Sequence, residues 1–212
     1  MKSTYVPLVL ATVAAASPIK VIEDVAHSIG FYTKGGDYSG HKGPSGPFSF
    51  TSTYDVIATP DQVVDSNNTF TGGLAGAIGY YSYGINSYDN VICYNITLVN
   101  FRGDYQSPAV SATHIHQAKK GLSGPPRIAF PNPVPVEGTQ NVRRSIGCLS
   151  GPFRTGVNAS GVDTGAGFTV SKIEENPADF FTDVHSSLAV PGAVRGQLSD
   201  GVNKEDCEDN KN

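Results

Sequence analysis

Apolar side chains recur at every second position through most of this chain, and a period of two is the pattern of a strand with one buried face. In residues 48–56, Phe48, Phe50, Tyr54 and Val56 fall on one side. With 24 Gly and 14 Pro, such runs are short and closed by turns, so the chain reads as an all-β protein. Residues 76–85 and 91–101 form two further β-rich runs, separated by the polar turn Asn86-Ser87-Tyr88-Asp89-Asn90.

Residues 112–117 give a short strand. The Gly- and Pro-containing segment 121–126 then turns the chain into residues 127–130, and prolines 131, 133 and 135 break that strand. Gly-rich, polar residues 137–167 read as long loops fastened by Cys148. One short helix is expected at Ser171-Lys172-Ile173-Glu174, which has capping-box form, with Asn176-Pro177 interrupting it. Residues 181–186 and 193–198 then pair as a closing hairpin around Pro191-Gly192, which suit the centre of a type II turn.

The first residues have the layout of a secretory signal peptide: Lys2, an apolar run over 6–16, then small residues ahead of Ser17-Pro18. The expected organisation is a signal peptide at 1–16, a loosely ordered lead-in at 17–46, one domain at 47–199 and a polar tail at 200–212. Sequons at Asn67, Asn95 and Asn158 fit glycosylation on the same secretory route. A net charge of -4, with no Lys/Arg run longer than a pair, argues against nucleic acid and anionic membrane as partners. No segment is long and apolar enough for a membrane span. Of the three cysteines, Cys93 in a core strand and Cys148 in a loop are the expected disulfide, leaving Cys207 in the tail.

Ala112-Thr113-His114-Ile115-His116 carries the candidate chemistry. On a strand His114 and His116 point the same way, which is a metal-ligand spacing; His185, in Asp183-Val184-His185, is a third imidazole. Three imidazoles suit Cu, Zn, Ni or Fe. The same spacing also fits a buried polar network in which imidazoles bond to Asp183 or to backbone carbonyls and fix strand register. Arg195 shares a face with Ala193 and Gln197, while Gly196 leaves room for another backbone to approach. If inward, Arg195 needs a partner, with Asp183 or Asp104 as candidates; if exposed, it would guide an anion.

Taken together, His114-Ile115-His116, Gly124-Pro125-Pro126, Asp183-Val184-His185 and Gly192-Ala193-Val194-Arg195-Gly196-Gln197-Leu198 resemble the CHRD domain family, named for the chordin repeats. The resemblance covers about residues 48–198. The long form with Cys93-Tyr94-Asn95-Ile96 and Gly147-Cys148-Leu149 is similar to the family's secreted fungal branch. It implies a Greek-key β-sandwich of immunoglobulin-like or Cu/Zn superoxide dismutase-like type, and a family in which most members have no assigned activity. His114 and His116 match its His-x-His, His185 its later histidine, and Arg195 the arginine of its Arg-Gly-Gln/Glu-Leu ending. Ala118-Lys119 departs from the glycine-led turn common there.

The leading reading is a secreted, non-catalytic binding or surface module for an extracellular protein or cell-surface ligand, holding copper or zinc through His114, His116 and His185. Gly-x-Ser-x-Gly, His-Glu-x-x-His and phosphate-cradling glycine motifs are all missing. The alternative is a copper-dependent redox enzyme of superoxide dismutase-like type, with Arg195 drawing in an anionic substrate.

Overall fold

The computed structural model describes residues 49–201. The expected signal peptide, the whole lead-in, Phe48, most of the tail and Cys207 lie outside the described residues. Two antiparallel sheets face one another. The first contains β1 (Ser52–Ala58), β2 (Ile78–Asn86), β3 (Val91–Val99), β7 (Val142–Ser150) and β6 (Val134–Pro135), in that spatial order. The second runs β11 (Ala189–Gln197), β10 (Phe180–Ser186), β4 (Thr113–Gln117), β5 (Pro126–Phe130). A small hairpin joins β8 (Asn158–Ala159) to β9 (Val162–Asp163), and α1 (Ser171–Glu175) precedes β10.

Alternation decides which face of each strand is inside. Val56 and Ala58 of β1, Tyr81, Tyr83 and Ile85 of β2, and Ile92, Tyr94, Ile96 and Leu98 of β3 pack in one cluster with Ile115, Ile128, Phe130, Phe180, Val184 and Val194 of the second sheet. Burying each such Ile or Phe contributes about 2 kcal/mol. Phe130 stacks on Tyr83 (5.4 Å) and tilts against Tyr94 (4.9 Å). Across the core the Tyr83 hydroxyl meets Thr182 Oγ1 at 2.7 Å, and Thr182 donates onward to the His114 carbonyl at 3.0 Å. Thr182 has one hydroxyl proton, so Tyr83 is the donor in the first bond.

Several local expectations change. Residues 137–167 are not all loop: β7 lies inside them, pairs along its whole length with β3, and places Cys148 opposite Cys93. The disulfide expected between those residues is present, joining two strands of one sheet. The closing hairpin turns at Ser187-Leu188; Pro191 and Gly192 lie within β11. The helix forms where expected, but without its capping box. Ser171 is already helical, and the Glu174 carboxylate instead accepts hydrogen bonds from Thr51, just ahead of β1, and from Ser52, its first residue. Phe50 lies ahead of β1 and is exposed.

Candidate metal centre

Because Ile115 fills the core, His114 and His116 must project from the opposite, outer face of the second sheet. The same parity sends Val184 inward and Asp183 outward on β10. Register then aligns the groups: Asp183 stands opposite His114 on β4 and opposite Arg195 on β11, and Phe181 stands opposite His116 and Gln197. Pairing of β10 with β11 shifts between Val184 and Ser186, leaving His185 at the irregularity. Such a bulge re-aims a side chain. His185 thereby turns to the same cluster, its amide donating to the Ala112 carbonyl at 2.8 Å.

An outer face would ordinarily meet water, yet His114 is 1% exposed and Asp183 4%. Loops roof the site. Gln197 Nε2 donates to the carbonyls of Ala118 and Ala178, and the Arg195 guanidinium donates to that of Lys119. Residues 118–119, where the sequence departs from the family's turn, are thus tied down by Arg195 and Gln197. What remains open is a cleft of about 380 Å³ that reaches His116, Asp183, His185 and Arg195.

His114, His116, Asp183 and His185 each offer one ligand atom, and these atoms all lie within 4.8 Å of one another. Three hydrogen bonds to backbone carbonyls aim the rings: His114 Nε2 to Ser111 (2.7 Å), His116 Nδ1 to Gly124 (2.8 Å) and His185 Nδ1 to Val190 (2.8 Å). A carbonyl only accepts, so each of these nitrogens carries the proton. The other nitrogen of each ring turns inward and, in the neutral imidazole, presents a lone pair. His116 Nε2 stands 3.3 Å from His114 Nδ1, an arrangement of two lone pairs that calls for a proton or cation between them.

Asp183 completes the set. Its Oδ1 is 3.5 Å from His114 Nδ1, and its Oδ2 is 3.4 Å from His116 Nε2 and 3.2 Å from His185 Nε2. Oδ1 is buried with no hydrogen-bond partner. Metal–nitrogen bonds of about 2.0–2.1 Å in a tetrahedron put neighbouring ligand atoms roughly 3.3–3.4 Å apart, close to the 3.2–3.5 Å of these four contacts, within a set whose widest spread is 4.8 Å. Carbonyls fixing the far nitrogens are the outer shell that such centres use. The residues fit a transition-metal ion.

Electrostatics point the same way. Burial raises the cost of charge on Asp183, but the imidazoles of His116 and His185 outweigh it and hold the carboxyl well below the usual range. Burial lowers the His114 pKa, only partly offset by the nearby Asp183 carboxylate. Burial also opposes charge on His185, yet the Asp183 carboxylate and the Val190 carbonyl prevail and raise it to about 9. In the metal-free protein the cluster therefore holds a proton on His185 that faces Asp183.

The ion-pair partner expected for Arg195 is absent among the described residues: neither Asp183 nor Asp104 lies within salt-bridge distance. Its guanidinium lies 3.4 Å over the Phe181 ring, and Phe181 stacks in turn against His116 at 4.9 Å. Burial pulls Arg195 down to about 10, leaving it cationic at neutral pH. Gly196 has the role expected of it, since a Cβ there would lie 2.9 Å from the Ile57 carbonyl and 3.1 Å from the Ala58 Cα. Asp183 as a fourth ligand was the residue that sequence reasoning missed. The signal was there, because Asp183-Val184-His185 repeats the one-residue spacing of His-x-His.

An all-β two-sheet protein with a cluster of three histidines and one aspartate on a roofed outer face defines a narrow class. The CHRD domain family model matches residues 54–198, most of the chain, and the protein belongs to that family. No curated relative and no solved structure matches it. Among the described residues no helix is long and apolar enough to cross a membrane.

Proposed function

We propose that this protein is a secreted CHRD-domain glycoprotein, a non-catalytic extracellular binding module that holds one transition-metal ion, copper or zinc, through His114, His116, His185 and Asp183. The convergence of three tautomer-fixed imidazoles on one carboxylate carries this reading. When bound, the ion supplies positive charge at the base of the cleft; the protein's part is to present three lone pairs and a carboxylate without rearrangement. The Cys93–Cys148 disulfide and the resemblance to secreted fungal members support an extracellular setting. Asn67 and Asn158 are exposed and suit glycan attachment, whereas Asn95 sits mid-strand in β3 with its amide oxygen buried.

The test is metal uptake by untagged protein stripped with a chelator. Competition titration with zinc and copper is expected to give one ion per chain in the wild type. His116→Ala and Asp183→Ala, each expected to remain folded, should lose at least about 1.4 kcal/mol of binding, a tenfold drop. Stoichiometry well below one, or equal affinity in both variants, would overturn it.

A further inference from the structure

The cleft beside the cluster is larger than an ion requires, and its lining is of two kinds. Arg195 lines it with His116, Asp183 and His185, its guanidinium stacked on Phe181. Among the described residues the guanidinium makes one hydrogen bond, from Nη2 to the Lys119 carbonyl at 3.3 Å, so its remaining N–H groups have no protein acceptor there. A planar donor fork of that kind matches a carboxylate. Val64, Pro125 and Pro191 add apolar lining. A volume of about 380 Å³ is within the range of small-molecule sites.

Charge determines when such a site attracts an anion. Arg195 is a cation facing two carboxylates in this cleft, Asp183 and Asp65, the latter with its Oδ1 accepting from the amides of Asn67 and Thr69. A bound divalent ion together with Arg195 outweighs the two carboxylates and leaves the cleft net positive. Inorganic anions satisfy the guanidinium but leave the apolar walls wet.

We propose that the metal-loaded cleft binds a small organic monocarboxylate, its carboxylate paired with Arg195 and its hydrocarbon body against Val64, Pro125 and Pro191. This rests on the metal-binding reading for its charge and goes beyond it in assigning a ligand class. Phe181 fixes the guanidinium so that little side-chain freedom is lost on pairing.

Acetate, butyrate and hexanoate, titrated calorimetrically into zinc-loaded protein of measured zinc content, test it. Affinity is expected to rise about fourfold per added methylene, the equivalent of about 0.8 kcal/mol. Wild-type protein is expected to bind hexanoate at least tenfold more tightly than 1-hexanol, a comparison that needs no variant. Arg195→Gln is expected to lower hexanoate affinity at least tenfold with zinc stoichiometry unchanged. Equal affinities for acetate and hexanoate, for hexanoate and hexanol, or for wild type and a folded Arg195→Gln would each overturn the inference. A protein that takes up no zinc overturns the metal reading instead, and removes the charge on which the inference depends.

Discussion

Stripped of metal, the protein should lose stability as pH rises from 6 to 9.5, and one side chain should account for the loss. His185 carries its raised pKa, about 9, only in the folded state, where Nε2 faces Asp183 at 3.2 Å. In the unfolded chain it returns to about 6.5. A group with a raised folded pKa contributes stability that is complete below its unfolded value and is lost as pH climbs through the folded one. Two and a half pKa units correspond to about 3 kcal/mol, and the His185 side chain is exposed enough to water (14%) that this is an upper figure. Asp183, held below its ordinary value, contributes stability that is lost only at acid pH, so it is constant across this window. Above about pH 10 the buried Tyr81 and Tyr83, both pushed up by burial, begin to favour the unfolded chain, which sets the upper limit of the scan. Urea unfolding followed by circular dichroism is the assay. The difference between wild type and His185→Gln should shrink from about 3 kcal/mol at pH 6 towards its pH-independent remainder at 9.5. Adding one equivalent of zinc should reverse the trend, because the ion needs the Nε2 lone pair and gains affinity up to about tenfold per pH unit below the His185 pKa. A wild-type-to-variant difference that is flat with pH would refute the placement of the proton on His185. A zinc-dependent stabilisation that weakens with rising pH would refute His185 as a ligand.

Gly124→Ala should lower metal affinity about 10- to 100-fold, the usual effect of losing an outer-shell partner. Its new methyl would sit 2.0 Å from the Gln117 carbonyl, forcing away the Gly124 oxygen that fixes His116; unchanged affinity in a competition titration would show that the carbonyl is dispensable. Replacing both Cys93 and Cys148 by Ser should destabilise the domain by about 4 kcal/mol, the chain-entropy value for a closed loop with a sequence separation of 55, read from the urea midpoint. Arg195→Met should lower stability by only about 1–2 kcal/mol, since the guanidinium loses a stacking contact on Phe181 and strands no buried carboxylate partner; a loss of 3 kcal/mol or more would show an ion pair after all.

Period-two alternation made β1 to β5 legible, because most of their inward positions carry Val, Ile, Leu, Tyr or Phe. It failed at β7 for a physical reason. Register with β3 turns Arg143, Ser145, Gly147 and Leu149 towards the core side, and only the last of these is aliphatic. Gly147 gives room to the Tyr94 ring, whose hydroxyl a Cβ would approach to 2.8 Å, and Arg143 lies over Phe101 and Tyr105. Ile146, a large aliphatic residue of the same strand, points the other way and is exposed. The closing hairpin misled differently. Pro191-Gly192 has turn chemistry, but Ser187-Leu188 makes the turn, and only long-range pairing with β10 reveals the shift at His185 that aims its ring.

The face carrying the cluster was itself readable in part. Ile115 between two histidines, and Val184 between Asp183 and His185, commit both strands to an aliphatic inward face, so the polar side must look away from the sandwich core. What sequence does not supply is the roof. The closest approaches that create it are backbone contacts: Gln197 to the Ala118 and Ala178 carbonyls, His116 to Gly124, His185 to Val190. None of these leaves a mark on residue type except the glycine at 124. Their consequence is chemical. A charged cluster inside the sandwich would be sealed off and would displace the aliphatic packing that holds the sheets together, whereas on the outer face loops remove water from Asp183 and the imidazoles yet leave a cleft to Arg195. The position therefore combines a low-dielectric setting, which strengthens ligation and pairing, with access from solvent, which a module that captures an ion or an anion requires.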